Sequence, residues 1–302
     1  MLDIAIIGGG PAGLTAGLYA ARGGAVVTLF EELFVGGQVT KTHLIENYPG
    51  FPDGLEGFSL GALMEQQASR FGLKVSYETV ERLELDGPVK KIHVGGRIEE
   101  AKAVILCMGA VPQLLGDPRE AELTGKGVAY CATCDGAFYK GRTVAVVGGG
   151  DTAIADALYL TGFAEQVHVI HRRDALRATK TLQEAAFKNE KITFHWDSVV
   201  KTLQGAEKLE ALGLQNKKTG EESLLPCDGL FVAVGIEPKN ALIKDQLPLD
   251  PQGAILTNER METGVPGVYA AGDLRATPLR QVVTACADGA IAATEALEYI
   301  RK

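Results

Sequence analysis

The sequence predicts an α/β fold, because strand-like and helix-like segments alternate along it and one strand–glycine–helix unit occurs twice. The two copies read IAIIGGGPAG at 4–13 and VAVVGGGDTA at 144–153. Two apolar segments that end in glycine and proline, at 104–112 and 230–238, also resemble one another. The distance between the copies is far longer than the period of about 20–50 residues in a solenoid. The chain therefore contains two related units rather than a repeat array.

The predicted elements follow in chain order. They are strand 3–7, helix 11–22, strand 26–31, helix 60–71, strands near 73–85 and 89–97, strand 103–107, strand 143–147, helix 151–161, strand 167–171, a helix near 178–188, strands up to about 234, strand 267–271 and a helix from about 281 to 299. Proline and glycine in the stretches 110–118 and 236–250 predict hinges there. We therefore expect a discontinuous domain of residues 1–113 and 244–302, into which a second domain of residues 114–243 is inserted.

Composition and charge exclude several classes of protein. The chain has 302 residues, of which 46% are hydrophobic and 23% charged, as in ordinary globular domains. Its net charge of −8 is opposite in sign to that of a general binder of nucleic acid or anionic membranes. No segment approaches the ~20 apolar residues of a membrane span, and the N-terminal segment is predicted to be a strand rather than a signal peptide. Five cysteines are too few for a secreted disulfide scaffold, so we expect a cytoplasmic protein.

The first glycine motif predicts a dinucleotide site. It consists of Gly8, Gly10, Pro11, Ala12 and Gly13, directly after a strand and at the start of a helix. The first glycine permits the tight turn, the second lets a pyrophosphate approach the backbone, and the third lets the helix pack closely on the strand. Glu31 ends the next strand, 18 residues after Gly13, where an acid accepts hydrogen bonds from ribose hydroxyls.

The second glycine motif predicts a site with a different preference. It consists of Gly148, Gly150, Asp151, Thr152 and Ala153. The same count of 18 residues from Ala153 reaches His171 instead of an acid, and a basic segment follows with Arg172, Arg173 and Arg177. Arginines at this position suit a 2′-phosphate, although a solvated basic surface is the alternative. The simplest interpretation is two Rossmann-like dinucleotide-binding domains of three-layer ββα form, with FAD in the first and NADPH in the second.

A close cysteine pair predicts redox chemistry. Cys131 and Cys134 form a CATC motif, and Asp135 follows it directly. Such a pair can cycle between dithiol and disulfide, with one thiol attacking an external disulfide and the other resolving the mixed intermediate. A zinc site is the weaker alternative, because a second such pair is absent from the sequence, and no metal is expected. Asp135 is placed for proton transfer, or else is a turn residue before Gly136. The remaining cysteines are interpreted as small buried hydrophobes.

Together these motifs resemble the low-molecular-weight, bacterial-type thioredoxin reductases over essentially the whole chain. The matching segments are GGGPAG, GGQ at 36–38, ENYPG at 46–50, CATCDGAFYKG, HRRDALRA, AAGD at 270–273 and RQVVTA at 280–285. The resemblance implies a cytoplasmic homodimer that passes electrons from NADPH through FAD and a Cys131–Cys134 disulfide to thioredoxin. From the net charge and the lack of a long apolar segment, we expect no nucleic-acid or membrane partner.

The resemblance also implies the roles of individual residues. Flavin contacts are implied for Gly37, Gln38, Asn47, Gly109, Asp273, Arg280, Gln281 and Val282, of which Asp273 would bind the ribityl chain. Contacts to the 2′-phosphate are implied for His171, Arg172 and Arg177, and Asp135 is the implied proton donor. Since the NADPH motif and the cysteine pair share one domain and both must reach the flavin, we expect that domain to rotate about its two hinges.

Three places depart from the family pattern. Met108 stands in place of a small hydroxyl residue, Leu176 replaces a phenylalanine in the arginine motif, and Ala155 with Asp156 replaces a pair of glutamates. The Ala155 change removes a carboxylate near the nicotinamide position. A flavin dithiol oxidase, a ferredoxin-linked reductase and a non-catalytic flavoprotein are the competing interpretations, and the intact HRRDALR segment disfavours the first two.

Overall fold

The chain forms two compact units in this computed structural model, which describes residues 1–42 and 44–302. Unit 1 comprises Met1–Val111 and Glu237–Lys302, and unit 2 comprises Pro112–Ile236. The return to unit 1 comes seven residues before the predicted limit of 244, because Ile243 and Leu247 pack in a core of unit 1. The predicted fold class, α/β with a second unit inserted into the first, is confirmed. The assignment of FAD to residues 1–113 and 244–302 and of NADPH to 114–243 stays a prediction.

Unit 1 is built on a mainly parallel sheet. Its elements are β1 (Leu2–Ile7), α1 (Pro11–Arg22), β2 (Val27–Glu31), α2 (Gly57–Ser69), β3 (Lys74–Tyr77), β4 (Val80–Glu84), β5 (Lys90–Val94), β6 (Arg97–Leu106) and β7 (Ala110–Pro112), and after unit 2 β17 (Val268–Ala270) and α7 (Val282–Ile300). The strand order is β3-β2-β1-β6-β5-β4, and β17 pairs with β6. Because β1, β2, β6 and β17 are parallel, the segments that follow them meet at the carboxyl edge of the sheet.

Small residues let the helices of unit 1 approach closely. Helix α1 buries alanines and glycines toward α7, whose facing side is also rich in alanine. A Cβ at Gly289 of α7 would overlap the carbonyl oxygen of Ala12 in α1. This packing fixes the N-termini of both helices beside the carboxyl edge of the sheet.

Unit 2 has three layers. Its elements are α3 (Glu120–Leu123), β8 (Val128–Ala129), α4 (Ala132–Asp135), β9 (Thr143–Val147), α5 (Asp151–Leu160), β10 (Gln166–Ile170), α6 (Lys180–Phe187), β11 (Ile192–His195), β12 (Ser198–Gln204), β13 (Ala211–Asn216), β14 (Glu222–Pro226) and β15 (Gly229–Val232). Strand β16 (Ile236–Pro238), which pairs with β7, lies where the chain returns to unit 1. The parallel sheet has the order β11-β10-β9-β15-β8. One face carries α5 and the residues of one core, and the other face carries the antiparallel sheet β12-β13-β14.

The predicted helices and strands occur in the predicted order, and their limits move by a few residues. Helix α1 and strand β9 have the predicted ends, whereas α2 begins at Gly57 instead of 60. Strand β6 begins at Arg97, well before the predicted 103, because its first half pairs with β5 in a hairpin across Gly95–Gly96. Among the described helices, none is both long and apolar enough to cross a membrane.

Candidate active site

Two glycines of the turn between β1 and α1, Gly8 and Gly13, could not be replaced by another residue without a shift of the backbone. Gly8 has a φ of +105°, and a Cβ there would lie 2.5 Å from the carbonyl oxygen of Cys107. A Cβ at Gly13 would overlap the carbonyl oxygen of Gly8. At Gly10, which caps α1, a Cβ would meet no atom within 4 Å. The first turn of α1 therefore faces an open cradle, which fits the pyrophosphate of a dinucleotide.

Glu31 lies where the sequence places it, at the end of β2 and against the glycine turn. Its Oε2 accepts a hydrogen bond of 2.7 Å from the N–H of Gly9, and its Oε1 accepts one of 2.8 Å from the N–H of Glu32. These bonds orient the carboxylate beside the cradle. Gly37 completes the same wall, because a Cβ there would lie 3.3 Å from the Cα of Gly10.

Several of the other predicted flavin residues meet at the N-terminus of α7. Gln281 caps this helix and Val282 is its first residue. The Nδ2 of Asn47 donates a hydrogen bond of 3.0 Å to the Oε1 of Gln281, although the two residues are 234 positions apart. The Nε of Arg280 lies 3.5 Å from the carbonyl oxygen of Asp273. The structure thus brings these residues together; Gln38 lies in the short 3-10 helix Gly37–Lys41, and Gly109 follows β6 with a φ of +70°.

A buried ion pair, which sequence reasoning missed, holds the segment that carries Asp273. The Nε of Arg275 donates to the Oδ2 of Asp288 at 2.7 Å, and a second guanidinium nitrogen donates to the Oδ1 at 2.9 Å. The same Oδ2 accepts the N–H of Gly272 at 3.1 Å. Burial raises the pKa of Asp273, the neighbouring Asp288 adds to this rise, and Arg280 opposes it. The pair fixes the turn at Gly272, so Asp273 is held at the carboxyl edge of the sheet.

The glycine turn of unit 2 repeats this geometry. Gly148 has a φ of +152°, and a Cβ there would lie 2.5 Å from the carbonyl oxygen of Ala233. Gly150 caps α5, and a Cβ there would again meet no atom within 4 Å. Asp151 begins α5, and its Oδ1 accepts the N–H of Thr179 at 2.6 Å; Thr152 beside it is exposed. A second open cradle therefore lies at the start of α5.

His171 lies under the second turn and is only 4% exposed. A Cβ at Gly149 would overlap its ring. Its Nε2 lies 3.1 Å from the carbonyl oxygen of Ala175, to which it donates. Burial lowers the pKa of His171, and three nearby arginines lower it further. A neutral imidazole thus shapes the loop, and its predicted contact with a 2′-phosphate stays a prediction.

The three arginines of this loop are exposed. They are Arg172, Arg173 and Arg177. The N–H of Arg177 donates to the carbonyl oxygen of Gly149 at 2.7 Å, which places this residue beside the glycine turn. The carboxylate of Asp174 in the same loop pairs with Lys218 at 2.8 Å. The loop therefore presents positive charge next to the second cradle. Trp196, which stacks on Phe194 with ring centroids 4.9 Å apart, faces His171 edge-on.

The predicted redox pair is a disulfide between Cys131 and Cys134. Cys131 caps the short helix α4, and its Sγ accepts the N–H of Cys134 at 3.2 Å. Burial raises the pKa of Asp135 to about 6. A carboxyl group with this pKa can release a proton near neutral pH, which suits the predicted proton donor, and that role stays a prediction. Gly136, after α4, packs on Leu160 of α5, so the disulfide and the second glycine turn belong to one packed body.

The residues that depart from the family pattern have clear positions. Ala155 is exposed on α5, and Asp156 next to it is half-buried, with a pKa that burial raises to about 6. Leu176 is buried in the core of unit 2.

Burial raises the pKa of the Cys107 and Cys227 thiols, which agrees with structural roles. Within residues 1–42 and 44–302, no group of three His, Cys, Asp or Glu side chains is placed to hold a metal ion.

Comparisons with known proteins give one consistent result. The family described as pyridine nucleotide-disulphide oxidoreductase matches residues 2–289. A thioredoxin reductase of Peptoclostridium acidaminophilum is 48% identical over 99% of this chain and 96% of its own length, and one of Streptomyces coelicolor is 44% identical over 99% and 94%. The crystal structure of thioredoxin reductase from Streptococcus pyogenes superposes with a TM-score of 0.94 at 44% identity, covering 100% of this chain and 98% of that one.

Proposed function

The chain belongs to the pyridine nucleotide-disulphide oxidoreductases and, among them, to the bacterial-type thioredoxin reductases, and we propose from this premise that FAD and NADPH are its cofactors and thioredoxin its substrate. It is a flavoprotein disulfide reductase. The observation that carries the finer proposal is the pairing, in unit 2, of a disulfide with an open glycine cradle and a basic loop.

Unit 1 supplies the flavin site in this proposal. The open cradle at Gly10 would receive the pyrophosphate, and the Glu31 carboxylate would accept ribose hydroxyls. Asp273 and the residues at the N-terminus of α7 would orient the rest of the cofactor. When bound, the flavin supplies the two-electron chemistry that links oxidation of NADPH to reduction of the disulfide.

Unit 2 supplies the nucleotide site and its selectivity. The cradle at Gly150 would receive the pyrophosphate of NADPH, and the exposed arginines beside it would pair with the 2′-phosphate. NADH lacks this phosphate, so the same arginines would leave it weakly bound. The basic loop therefore supports NADPH as the nucleotide.

The cysteine pair passes two electrons to an external disulfide. Reduction of the Cys131–Cys134 bond takes up two electrons and two protons. One thiolate of the pair then attacks a sulfur of the thioredoxin disulfide, and the other thiolate attacks the mixed disulfide and releases thioredoxin as a dithiol. Asp135, protonated below its pKa of about 6 and in part above it, would donate a proton to the thiolate that forms.

The partner and assembly are part of the proposal. We infer a cytoplasmic homodimer, because the family resemblance implies one and because few cysteines suit a reducing compartment. We also infer that the connections within 110–118 and 236–250 act as hinges for unit 2. A verified crosslink between the two units should stop turnover after one half-reaction, whereas full steady-state activity in that form would contradict the hinge proposal.

The central experiment is an anaerobic titration of the flavin-loaded protein with NADPH and, separately, with NADH. We expect NADPH to bleach the flavin absorbance, NADH to bleach it far less, and added oxidised thioredoxin to restore it. In Cys131→Ser, bleaching should persist while thioredoxin reduction falls by at least about a hundredfold, since the nucleophile pair is lost. Cys286→Ser is the matched control and should behave like the unsubstituted protein. Bleaching by neither nucleotide would contradict the proposal and favour a ferredoxin or another flavin donor.

A further inference from the structure

Unit 2 buries one carboxylate that the proposed chemistry does not use. The Glu120 side chain is 2% exposed. Its Oε1 accepts the N–H of Leu115 at 3.0 Å and the hydroxyl of Tyr130 at 2.8 Å, and its Oε2 accepts the N–H of Gly116 at 3.0 Å. The neighbouring cation, Arg119, is directed to Glu122 instead. Three neutral donors therefore hold this carboxylate, and its removal would leave all three without their acceptor.

The donors come from two places that matter for the proposed function. Leu115 and Gly116 lie in the connection through which the chain enters unit 2. Tyr130 directly precedes Cys131, the cap of α4 and one half of the disulfide. One buried side chain thus ties the connection to the redox motif by hydrogen bonds on both sides.

The connection is anchored to unit 2 at a second point as well. The Oδ2 of Asp117 accepts the N–H of Leu203 at 3.1 Å, and its Oδ1 accepts the N–H of Arg119 at 2.8 Å. Before these anchors, Leu114 is 65% exposed. The connection is therefore anchored to unit 2 from residue 115 onward, and Gln113 before it also donates its backbone N–H to the carbonyl oxygen of Gly235 of the same unit at 3.0 Å.

We propose that Glu120 is a positioning residue, which through Tyr130 holds the backbone at Cys131 in a fixed position relative to the connection between the units. This inference rests on the proposed function for its purpose, because the disulfide must keep one place in unit 2 while the connection turns. We infer that this bond is stronger with the disulfide formed, the state in which it is seen, so its loss should favour the dithiol form.

The test is the equilibrium of the Cys131–Cys134 disulfide with glutathione, measured by thiol alkylation in the full-length, flavin-loaded protein. We expect Glu120→Gln and Tyr130→Phe each to shift this equilibrium toward the dithiol by about three- to tenfold, and tenfold corresponds to about 30 mV for a two-electron couple. Because the proposed effect passes through the Glu120–Tyr130 hydrogen bond, which Glu120→Gln weakens and Tyr130→Phe removes, the double variant should shift the equilibrium no further than Tyr130→Phe alone.

Matched controls separate positioning from general destabilisation. Glu122→Gln alters a surface carboxylate two residues away, and Tyr159→Phe removes a tyrosine hydroxyl that has no hydrogen-bond partner among the described residues. Both controls should leave the glutathione equilibrium unchanged.

An unchanged equilibrium in Tyr130→Phe, or additive shifts in the double variant, would overturn the proposal. If Glu120→Gln fails to fold, the comparison of Tyr130→Phe with Tyr159→Phe still decides. The measurement uses neither NADPH nor thioredoxin, so its outcome is independent of whether the proposed function holds.

Discussion

The glycine turns of the two units share a backbone geometry and differ in the side chain that packs against them. In each turn a Cβ on the first glycine would lie 2.5 Å from a carbonyl oxygen that follows a neighbouring strand. In each unit, the residue 18 positions after the last residue of the glycine motif contacts the middle glycine of that motif. In unit 1 that residue is Glu31, whose carboxylate accepts the N–H of Gly9. In unit 2 it is His171, whose ring lies under Gly149.

In both units the fold sets which position faces the glycine turn, and the residue at that position sets the charge beside it. The parallel strand–helix unit fixes where the second strand ends, and therefore which position faces the turn. The residue at that position sets the local charge. An acid beside the first cradle suits ribose hydroxyls, whereas a neutral imidazole with three arginines beyond it suits a phosphate.

Gly13→Ala should have the largest effect, because it changes both flavin affinity and the melting temperature. The new methyl group would overlap the carbonyl oxygen of Gly8, so α1 would have to move from β1. Overpacking of this kind costs about 1–3 kcal/mol or more, and we expect flavin affinity to fall by at least about tenfold with a lower melting temperature. The flavin-to-protein absorbance ratio and thermal unfolding measure both effects.

Gly10→Ala is the matched control for that change, because a Cβ there meets no protein atom. It should weaken flavin binding by filling the cradle while leaving the melting temperature of the flavin-free protein unchanged. If both variants lower that melting temperature equally, the distinction between a packing glycine and a cradle glycine is wrong.

The double substitution Arg172→Ala and Arg177→Ala tests the charge on the second turn. Because solvent screens these exposed arginines, their two charged hydrogen bonds to a phosphate together contribute about 1.5–3 kcal/mol, so the KM for NADPH should rise about 10–100-fold, with little change in the KM for NADH. Steady-state kinetics with both nucleotides measure the ratio. Arg142→Ala, an exposed arginine of unit 2 that lies 3.9 Å from Asp228, is the control and should leave the ratio unchanged. Equal increases in KM for both nucleotides would mean that the loop does not recognise the 2′-phosphate.

Gly149→Ala tests how tightly the imidazole of His171 packs against the second turn, in comparison with the carboxylate of Glu31 against the first. The methyl group would overlap the buried ring of His171, and we expect a loss of about 1–3 kcal/mol in the free energy of unfolding. Adding His171→Ala should recover part of that loss, because it removes the atom that clashes. Denaturant unfolding of the single and double variants measures the coupling. Additive losses would show that the ring is not the cause. Gly9→Ala, whose Cβ would lie 3.1 Å from Glu31, should cost less.

The smallest expected effect concerns a carboxylate near the second turn. Burial raises the pKa of Asp156 to about 6, so between about pH 4 and 6 the folded state binds more protons than the unfolded chain. Its contribution to stability therefore falls as pH rises through that window. Asp156→Asn should raise the free energy of unfolding by about 1–2 kcal/mol at pH 7.5 and by much less at pH 4. Unfolding curves at both pH values test this, with the exposed Glu207→Gln as control. A gain that is equal at both pH values would contradict the assigned cause.

The parts of the site that the sequence predicts are those made by short stretches of chain. The two glycine turns, Glu31 and the basic loop each follow from one strand–turn–helix segment, so a local pattern identifies them. Asn47 and Gln281 lie 234 residues apart, and the family resemblance rather than spacing grouped them.

Other features depend on packing that spacing does not encode. The ion pair of Arg275 with Asp288 and the burial of Glu120 require the finished tertiary structure. The family resemblance implies that His171 contacts a 2′-phosphate, but the sequence does not show that its ring is buried under the turn. Its burial follows from the absence of a side chain at Gly149, which lies 22 residues earlier in the chain.

The position of Trp196 has a practical consequence. It is the sole tryptophan of the chain, and it stands beside His171 at the basic loop. All indole fluorescence of the protein therefore originates in unit 2, and a reduced nicotinamide absorbs light at the wavelengths that indole emits. With the cofactors bound as proposed, the indole would report occupancy of the second cradle and the yellow flavin occupancy of the first, so the two halves could be followed in one cuvette without any label.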